Sequence, residues 1–311
     1  MIGKLERWAQ RRAKAVRKRQ YMNQYGVQEV PSVLNIALTN RCNANCIYCR
    51  REHRKINEDI TIELVREILQ NTPFIEQIQP QIDGELFLYK PWYGIINYAK
   101  GLGKKVVIYT NGALINERVI GKLMSLEPDK IIFSIDESDA TLYSKLRRGL
   151  DFHIVKDNLL LLKQQRDKYN LEIKLAVRIC ETPENTDRID KIKEYWGRIV
   201  DDVASTKEYY MPSKEEIEAG GLISGEPISC KYISDGLVVD ADGSLLLCCN
   251  DFFDSFELGN LHDIRPLTPE KILKLYNNKE FTKMRKALKI GKDYSFKCHV
   301  CQRRSDLVLE R

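Results

Sequence analysis

The stretch 42–49, CNANCIYC, holds three cysteines spaced C-x3-C-x2-C and follows the apolar run 33–38. Three thiolates on one short loop can bind three irons of a cubic iron–sulfur cluster and leave the fourth iron open to a small molecule. A structural zinc site is the competing interpretation, but such a site needs four ligands, and His53 is the one nearby residue that completes the set. The loop therefore predicts a reactive cluster held by three residues: Cys42, Cys46 and Cys49.

This loop resembles the signature of the radical S-adenosylmethionine (SAM) superfamily, in which an aromatic residue, here Tyr48, precedes the last cysteine. The resemblance implies a 4Fe–4S cluster whose open iron binds SAM, and an enzyme that cleaves SAM reductively to a 5′-deoxyadenosyl radical. That radical would abstract hydrogen from a C–H bond of a substrate. The resemblance also implies an external electron donor such as flavodoxin or ferredoxin.

Length and cysteine content limit the class of protein. The chain has 311 residues, enough for one large α/β domain and a small appendage. No apolar run of about 18 residues predicts a transmembrane helix, and the N-terminus lacks the apolar core of a secretory signal. Nine cysteines without an export signal indicate reduced thiols that serve metal or redox chemistry. We therefore expect a cytoplasmic protein.

The positive charge of the chain is concentrated at its N-terminus. Residues 1–20 hold eight basic side chains and one acid, a charge of +7, whereas the whole chain carries +6, so the remainder sums to −1. Net charge therefore gives no support for nucleic-acid binding by the body. Residues 1–24 are predicted to form a basic amphipathic helix, with Trp8 at the edge of an apolar stripe. The stripe consists of Ile2, Leu5, Ala9, Ala13 and Val16.

Two interpretations of this helix remain open. The favoured one is that its stripe packs on the enzyme body while its charges stay in solvent. The other is peripheral contact of residues 1–20 with an anionic membrane, because basic amphipathic helices with a Trp bind such surfaces.

Strand-like and helix-like segments alternate over residues 30–206, the region we expect to form the core. Predicted strands are 33–39, 77–83, 105–110, 130–135, 171–178 and, weakly, 199–204. Predicted helices are 60–71, 88–102, 114–125, 152–168 and 184–197. Such alternation predicts an α/β fold with a parallel sheet and right-handed crossovers. Six βα units make a partial (β/α)6 barrel, which is the fold of the superfamily that the chain resembles.

Candidate SAM-binding residues follow the ends of these strands, where active sites of parallel sheets lie. Asp83-Gly84-Glu85 stands where the resemblance implies Gly-Gly-Glu, a departure at the first position. In this motif Gly84 would let the backbone approach the ligand, and Glu85 would accept hydrogen bonds from the methionine amine of SAM.

Three further residues are assigned by resemblance. Arg178 is the candidate for binding the SAM carboxylate, and Asn111 and Ser134 resemble positions that contact the ribose or the methionine end. The alternatives are a plain turn at Asn111 and a helix cap at Ser134. Lys145, Arg147 and Arg148 form a charge run that is expected to be solvated, with contact to SAM or to an acidic substrate as the alternative.

A second cysteine set lies in the C-terminal part. Residues 207–229 read as a linker, and residues 236–248 as two short strands around an Asp-Gly turn, followed by helices at 268–277 and 279–289. The set resembles the front of the SPASM domain and, since no cysteine follows, its shortened Twitch form over 230–311. The resemblance implies a second, auxiliary 4Fe–4S cluster, with a zinc knuckle as the alternative. Its candidate ligands are Cys230, Cys248, Cys298 and Cys301.

Cys180 and Cys249 decide between reaction types. Each is an ordinary buried thiol or a donor of hydrogen to a substrate radical. Without such a donor the resemblance favours oxidation; with one it favours epimerisation. The expected substrate is a small molecule, such as a sugar, aminoglycoside or nucleotide-linked compound. A peptide or protein maturase, and a non-catalytic electron carrier or zinc protein, are the alternatives.

Overall fold

The computed structural model describes residues 2–49, 58–208, 231–249 and 257–290. The strands are β1 Val33–Ile36, β2 Asn45–Cys46, β3 Gln77–Gln79, β4 Lys105–Thr110, β5 Lys130–Ser134, β6 Arg147–Arg148, β7 Lys174–Glu181, β8 Asp202–Lys207, β9 Gly236–Val239, β10 Ser244–Leu246 and β11 Glu257–Asn260. The α-helices are α1 Ile2–Tyr25, α2 Ile62–Gln70, α3 Trp92–Gly101, α4 Glu117–Leu126, α5 Ala140–Leu146, α6 Phe152–Lys168, α7 Ile189–Gly197, α8 Lys231–Asp235, α9 Pro269–Tyr276 and α10 Lys279–Ile290.

Six parallel strands form the centre of the molecule, in the order β1-β3-β4-β5-β7-β8. The middle of β5 is buried on both faces of the sheet, since side chains along a strand point to opposite faces and Ile131, Ile132 and Phe133 are all buried. Several helices start at polar caps: the Asp151 side chain accepts from the backbone amides of His153 and Ile154 and begins α6. The predicted α/β fold with a partial barrel is confirmed.

The C-terminal hairpin continues the same sheet. Strand β9 pairs in parallel with β1, and β10 and β11 follow as antiparallel neighbours. The turn between β9 and β10 is the predicted Asp-Gly turn, in which Gly243 adopts the left-handed φ of +84°. Strand β11 and the attachment of the hairpin to β1 were not predicted, because this pairing joins residues about 200 apart in the chain.

Helix α1 contacts the body through the face opposite its predicted apolar stripe. Lys14 donates to Asp235 Oδ2 at 2.5 Å and Lys18 binds the same carboxylate, while Tyr21 packs edge-on against Phe74 with centroids 6.1 Å apart. The described members of the stripe are exposed: Ala9, Ala13 and Val16. The favoured interpretation, in which the stripe packs on the body, was therefore wrong. Ion pairs and aromatic contacts on the other face fix the helix, and helical periodicity alone does not say which face binds.

Several predictions fall outside the described residues. They concern nearly all of the linker 207–229 and three of the four auxiliary cysteines: Cys230, Cys298 and Cys301. Among the helices that the structure does describe, none is both long and apolar enough to cross a membrane.

Candidate active site

The cysteine loop lies beyond the carboxyl end of β1 and is held by a short strand pair. Within it, Cys46 pairs with Arg147 and Asn45 with Arg148 in the antiparallel β2–β6 sheet. The amide of Cys49 donates to the carbonyl of Cys46 at 3.0 Å, which turns the chain between the last two cysteines. Backbone pairing with a segment about 100 residues away therefore sets the path of the loop.

Nitrogen donors surround two of the three sulfurs. The amide of Ala44 lies 3.4 Å from Cys42 Sγ, and Asn111 Nδ2 lies 3.9 Å from the same sulfur. Arg147 Nη1 lies 4.0 Å from Cys46 Sγ. Donors aimed at cysteine sulfurs stabilise thiolates and tune iron–sulfur clusters, so this donor set fits a 4Fe–4S cluster.

No three His, Cys, Asp or Glu side chains within the described residues converge as they would around a single metal ion. The cluster assignment therefore depends on the spacing of the three cysteines, their donors and the family match given below.

Asn111, a candidate from the sequence, ties the next strand end to this loop. Its Nδ2 donates to Asn43 Oδ1 at 2.8 Å, and its backbone amide donates to Glu85 Oε2 at 2.8 Å. Its Oδ1 also accepts from the Ala113 amide at 3.0 Å, which is the predicted turn. The Asn111 side chain thus stabilises a local turn and also contacts the cysteine loop.

Glu85 is buried at the centre of these loops. Besides the amide of Asn111, its carboxylate accepts from Thr110 Oγ1 at 2.8 Å. Burial raises the pKa of Glu85 to about 7, although these hydrogen bonds oppose the shift. A buried carboxylate of this kind gains from a cationic partner, and the methionine amine of SAM is such a group.

Gly84 is required by the backbone that leads into the cysteine loop. It adopts the left-handed φ of +79°, and a Cβ there would lie 2.4 Å from the carbonyl oxygen of Thr39 and 2.8 Å from that of Arg41. The following amide, of Glu85, donates to the Arg41 carbonyl at 2.8 Å. The lack of a side chain at Gly84 therefore lets its backbone pack closely against the segment 39–41. This role is separate from any contact of Gly84 with a ligand.

A buried ion pair lies beside the loop. Arg147 Nε is 2.7 Å from Asp136 Oδ2 and Arg147 Nη2 donates to Asp136 Oδ1 at 3.0 Å; their side chains are 8% and 0% exposed. The Tyr48 hydroxyl and the Cys180 amide also donate to this carboxylate, the latter at 2.8 Å. The Arg147 guanidinium lies 5.7 Å from the centroid of the Tyr48 ring. Asp136 therefore joins the ends of β5 and β7 to the cysteine loop.

This pair corrects the expected solvated charge run: Lys145 and Arg148 are exposed, but Arg147 is buried. The available signal was Asp136, an acid directly after a buried strand, which needs a buried cation. In the protein without its cluster, burial raises the pKa of the Cys46 thiol, and the Arg147 charge opposes this shift. Burial likewise raises the pKa of Tyr48 well above its usual value, so its hydroxyl stays a donor.

Arg178 binds a different carboxylate. Its Nη2 donates to Asp202 Oδ2 at 2.8 Å, and Lys130 Nζ donates to the same oxygen at 2.6 Å. Hydrogen bonds from Lys130 and then Arg178 lower the pKa of Asp202. Ser134 is the register partner of Arg178 and is half-buried at the end of β5. The structure thus places Arg178 within a charged triad of the sheet.

The remaining cysteines fall into two places. Cys180 is half-buried in β7, and its amide contacts Asp136 beside Tyr48. Cys248 is buried in the core just after β10, and Cys249 follows it half-buried. The structure thus brings Cys180 to the cysteine loop and puts Cys249 beside a candidate auxiliary ligand.

Two family models match the chain. The model of the radical SAM superfamily matches residues 36–173, and the model of the SPASM iron–sulfur cluster-binding domain matches residues 230–302. The chain belongs to the radical SAM superfamily. As a radical SAM protein with a SPASM domain, it has SAM and a 4Fe–4S cluster as cofactors, together with auxiliary iron–sulfur chemistry. In the radical SAM core, the residues that fit the first cluster are Cys42, Cys46 and Cys49.

Curated relatives match part of the chain. An uncharacterized protein of Methanocaldococcus jannaschii is 32% identical over 121 residues, 38% of this chain and 38% of that protein. The tungsten-containing aldehyde ferredoxin oxidoreductase cofactor-modifying protein of Pyrococcus furiosus is 23% identical over 170 residues, 52% of this chain and 47% of that protein. The chain therefore spans less than half the length of these two relatives.

Solved structures of radical SAM enzymes share the fold. BtrN in complex with AdoMet and 2-DOIA is 18% identical with a TM-score of 0.54, over 85% of this chain and 89% of that one. Streptococcus suis SuiB bound to S-adenosylmethionine is 14% identical with a TM-score of 0.64, over 88% and 71%. Native anSMEcpe with bound AdoMet is 17% identical with a TM-score of 0.60, over 84% and 85%. At these identities the likeness shows the fold.

Proposed function

We propose that this chain cleaves SAM reductively and uses the resulting radical to abstract hydrogen from a C–H bond of a small substrate, giving oxidation or epimerisation. The observation that carries the proposal is the convergence of Glu85 and Asn111 on the cysteine loop, with nitrogen donors at Cys42 and Cys46. This is the arrangement that a SAM-binding cluster needs: thiolate ligands beside a buried acceptor for the methionine amine.

Each residue of the site has a separate role in this proposal. Cys42, Cys46 and Cys49 would hold the cluster, which supplies one-electron chemistry to SAM when bound. Glu85 accepts hydrogen bonds from the methionine amine, and Asn111 orients the loop through Asn43. Tyr48 is fixed by its bond to Asp136, so its ring has one position beside the loop. Glu85 and Asn111 are buried, and they would limit the access of water to a reactive radical on their side of the site.

In the structure, Arg178 forms an ion pair with Asp202. Because Arg178 already pairs with Asp202, which residue binds the carboxylate of SAM has to be tested. We propose that Arg178 reaches the carboxylate of SAM only if it exchanges this partner, whereas Ser134 at the same register level contacts the methionine end without such a change. Arg178→Lys would then weaken SAM binding less than Glu85→Gln does, as measured by equilibrium dialysis.

A small-molecule substrate is the proposal that we favour. BtrN, whose structure was solved in complex with 2-DOIA, is matched over 89% of its length, whereas SuiB is matched over 71% of its length. A peptide maturase is the second candidate, because SuiB is also known in complex with its precursor peptide SuiA. Both kinds of protein share this fold, so a substrate screen must decide between them.

The decisive experiment is anaerobic reconstitution with iron, sulfide and SAM, followed by reduction with dithionite or with flavodoxin or ferredoxin. Release of 5′-deoxyadenosine that disappears when Cys42, Cys46 and Cys49 are all changed to Ala supports the enzyme. A matched control changes Cys249 to Ala, which lies outside the loop and should preserve this release. No release from wild-type protein with a fully loaded first cluster would favour the electron carrier instead. We propose that this activity takes place in the cytoplasm, because it needs a reduced electron donor and reduced thiols.

Incubation in deuterated water separates the two reaction types. Deuterium gained at carbon without a change in oxidation level marks epimerisation, and loss of two hydrogens marks oxidation. We propose Cys180 as the hydrogen donor in the first case, because it lies beside Tyr48 and Asp136. Cys180→Ala should then preserve 5′-deoxyadenosine release and abolish deuterium gain, while Cys249→Ala changes neither.

For the C-terminal part, we propose the Twitch form with one auxiliary 4Fe–4S cluster, ligated by Cys230, Cys248, Cys298 and Cys301. Buried Cys248 after β10 gives this cluster one rigid ligand. Cys248→Ala should lower the iron content by the amount of one cluster and leave the electron paramagnetic resonance signal of the SAM-binding cluster. Zinc at the same stoichiometry in anaerobically purified protein would contradict the proposal.

A further inference from the structure

Helix α1 presents two unlike faces, and one of them is turned away from the body. The inner face carries Lys14, Lys18, Tyr21 and Tyr25, which contact Asp235 and the aromatic cluster at Phe74. At 3.6 residues per turn, Val16 lies roughly 170° around the helix from the centre of that face. The outer face is therefore free of the contacts that attach the helix.

The outer face combines apolar and cationic side chains. Trp8 and Val16 are 58% and 52% exposed, and Ala9 and Ala13 are exposed between them. Arg12 and Arg19 are exposed on the same side, and the Arg12 guanidinium lies 5.2 Å from the centroid of the Trp8 ring. Between residues 7 and 28 the sequence contains no Asp or Glu. An apolar stripe that is bordered by Arg and lacks acids complements a surface with negatively charged groups on the outside and an apolar layer below them.

The part of the body next to α1 also combines apolar and basic side chains, with one acid, Glu76, that pairs with Arg17. A groove of about 660 Å³ lies between the helix and residues 102–105; Leu102 is 41% exposed there, and Lys105 is exposed beside it. Arg11 and Arg17 of the helix line this groove. In contrast, the charge outside residues 1–20 sums to −1, so the positive surface is local to this end of the molecule.

From this juxtaposition we propose that the outer face of α1, defined by Trp8, Ala9, Arg12, Ala13, Val16 and Arg19, docks the protein on an anionic lipid surface. Trp8 and Val16 enter the boundary between headgroups and acyl chains, and the two arginines bind headgroup phosphates. The ion pairs of Lys14 and Lys18 with Asp235 hold the helix on the body, so that docking fixes the orientation of the whole barrel. This inference is independent of the reaction proposed above.

The test uses the full-length, cluster-loaded protein and vesicles of phosphatidylcholine with or without phosphatidylglycerol, under anaerobic conditions. We expect co-sedimentation with the anionic vesicles that weakens with added salt, and little with phosphatidylcholine alone. Arg12→Glu with Arg19→Glu should lower partitioning at least about thirtyfold, the effect of losing two arginine contacts. Arg118→Glu with Lys191→Glu is the control; it makes the same charge change at exposed positions of α4 and α7 and should preserve binding.

Intrinsic fluorescence identifies the part that enters the lipid. Of the three tryptophans, Trp92 and Trp196 are buried and Trp8 is exposed, so a blue shift on vesicle binding should come from Trp8 and vanish in Trp8→Phe. Equal partitioning of the arginine variant and its control would overturn the proposal, as would a blue shift that persists in Trp8→Phe. Stronger binding to a single-stranded RNA homopolymer than to anionic vesicles at the same salt would also overturn it, in favour of a polyanion site.

Discussion

Removing one partner of the buried Asp136–Arg147 pair should destabilise the protein more than breaking any surface ion pair that the structure describes. Arg147→Met removes the guanidinium and leaves a carboxylate with no exposed surface and two fewer hydrogen bonds. Breaking such a pair costs about 3–5 kcal/mol, because one charge stays buried without its partner. Since a domain is stable by about 5–15 kcal/mol, we expect a large loss that still leaves folded protein to measure.

Urea unfolding of anaerobic protein, followed by tryptophan fluorescence, measures this loss. Trp196 reports on the region, because its indole donates to the carbonyl of Glu137 at 3.1 Å, next to Asp136 in the chain. Arg198→Met is the matched control: it breaks an i,i+4 pair with Glu194 in which the arginine is 73% exposed, and it should cost less than about 1 kcal/mol.

A double-mutant cycle tests whether the two charges are coupled. Asp136→Asn in the Arg147→Met background removes the orphaned charge, so the double variant should lose less than the sum of the single variants, by about 2 kcal/mol or more. The reasoning would be refuted by additive losses, or by an Arg147→Met cost equal to that of Arg198→Met. The same variant should also load less iron at the cysteine loop, since Arg147 holds Tyr48 and Asp136 together.

Two further predictions concern the strand-end loops. Burial raises the pKa of Glu85 from 4.5 to about 7, so the native protein keeps a proton that the unfolded chain releases; its contribution to stability should fall by about 3 kcal/mol as pH rises between these values. Urea unfolding of SAM-free protein at pH 5 and pH 7.5, roughly the two ends of this range, measures this loss. The free energy of unfolding of the wild type should fall between the two pH values relative to that of Glu85→Gln. A difference in unfolding free energy between the two proteins that does not change with pH would contradict the prediction. Gly84→Ala should cost more than about 2 kcal/mol, because its Cβ would meet the Thr39 carbonyl at 2.4 Å and its φ is positive. Gly121→Ala in α4, with nothing within 4 Å of its Cβ, should instead stabilise the protein by about 0.5–1 kcal/mol, and equal thermal shifts for the two variants would disprove this account.

Most of the barrel could be predicted because its signals are local. Helix α6 spans Phe152–Lys168, the predicted 152–168, since it has an aspartate cap and a periodic apolar face. The six predicted strands and five predicted helices are present in the predicted order, but the structure adds helix α5, Ala140–Leu146, which was not predicted. Several strands also begin or end a few residues away from their predicted bounds, as β7 does at Lys174–Glu181. Buried apolar runs bounded by turns carry this information within a few residues of chain.

The features that escaped prediction depend on distant partners. Strands β2 and β6 have two residues each, too short for any periodicity, and exist because two remote segments pair. Burial of Arg147 likewise requires Asp136, and the orientation of α1 requires Asp235. The Cys42, Cys46 and Cys49 motif could be recognised because spacing alone carries it, whereas the donors around its sulfurs come from other parts of the fold.

The position of β9 has a practical consequence for dissecting the molecule. It covers the free side of β1, whose chain runs directly into the cysteine loop. Cutting the protein after residue 207 would turn β1 into a bare edge, with amide and carbonyl groups ready to pair with another molecule. Expression of the barrel by itself should thus favour aggregation, and the N-terminal and C-terminal halves have to be handled as one folding unit.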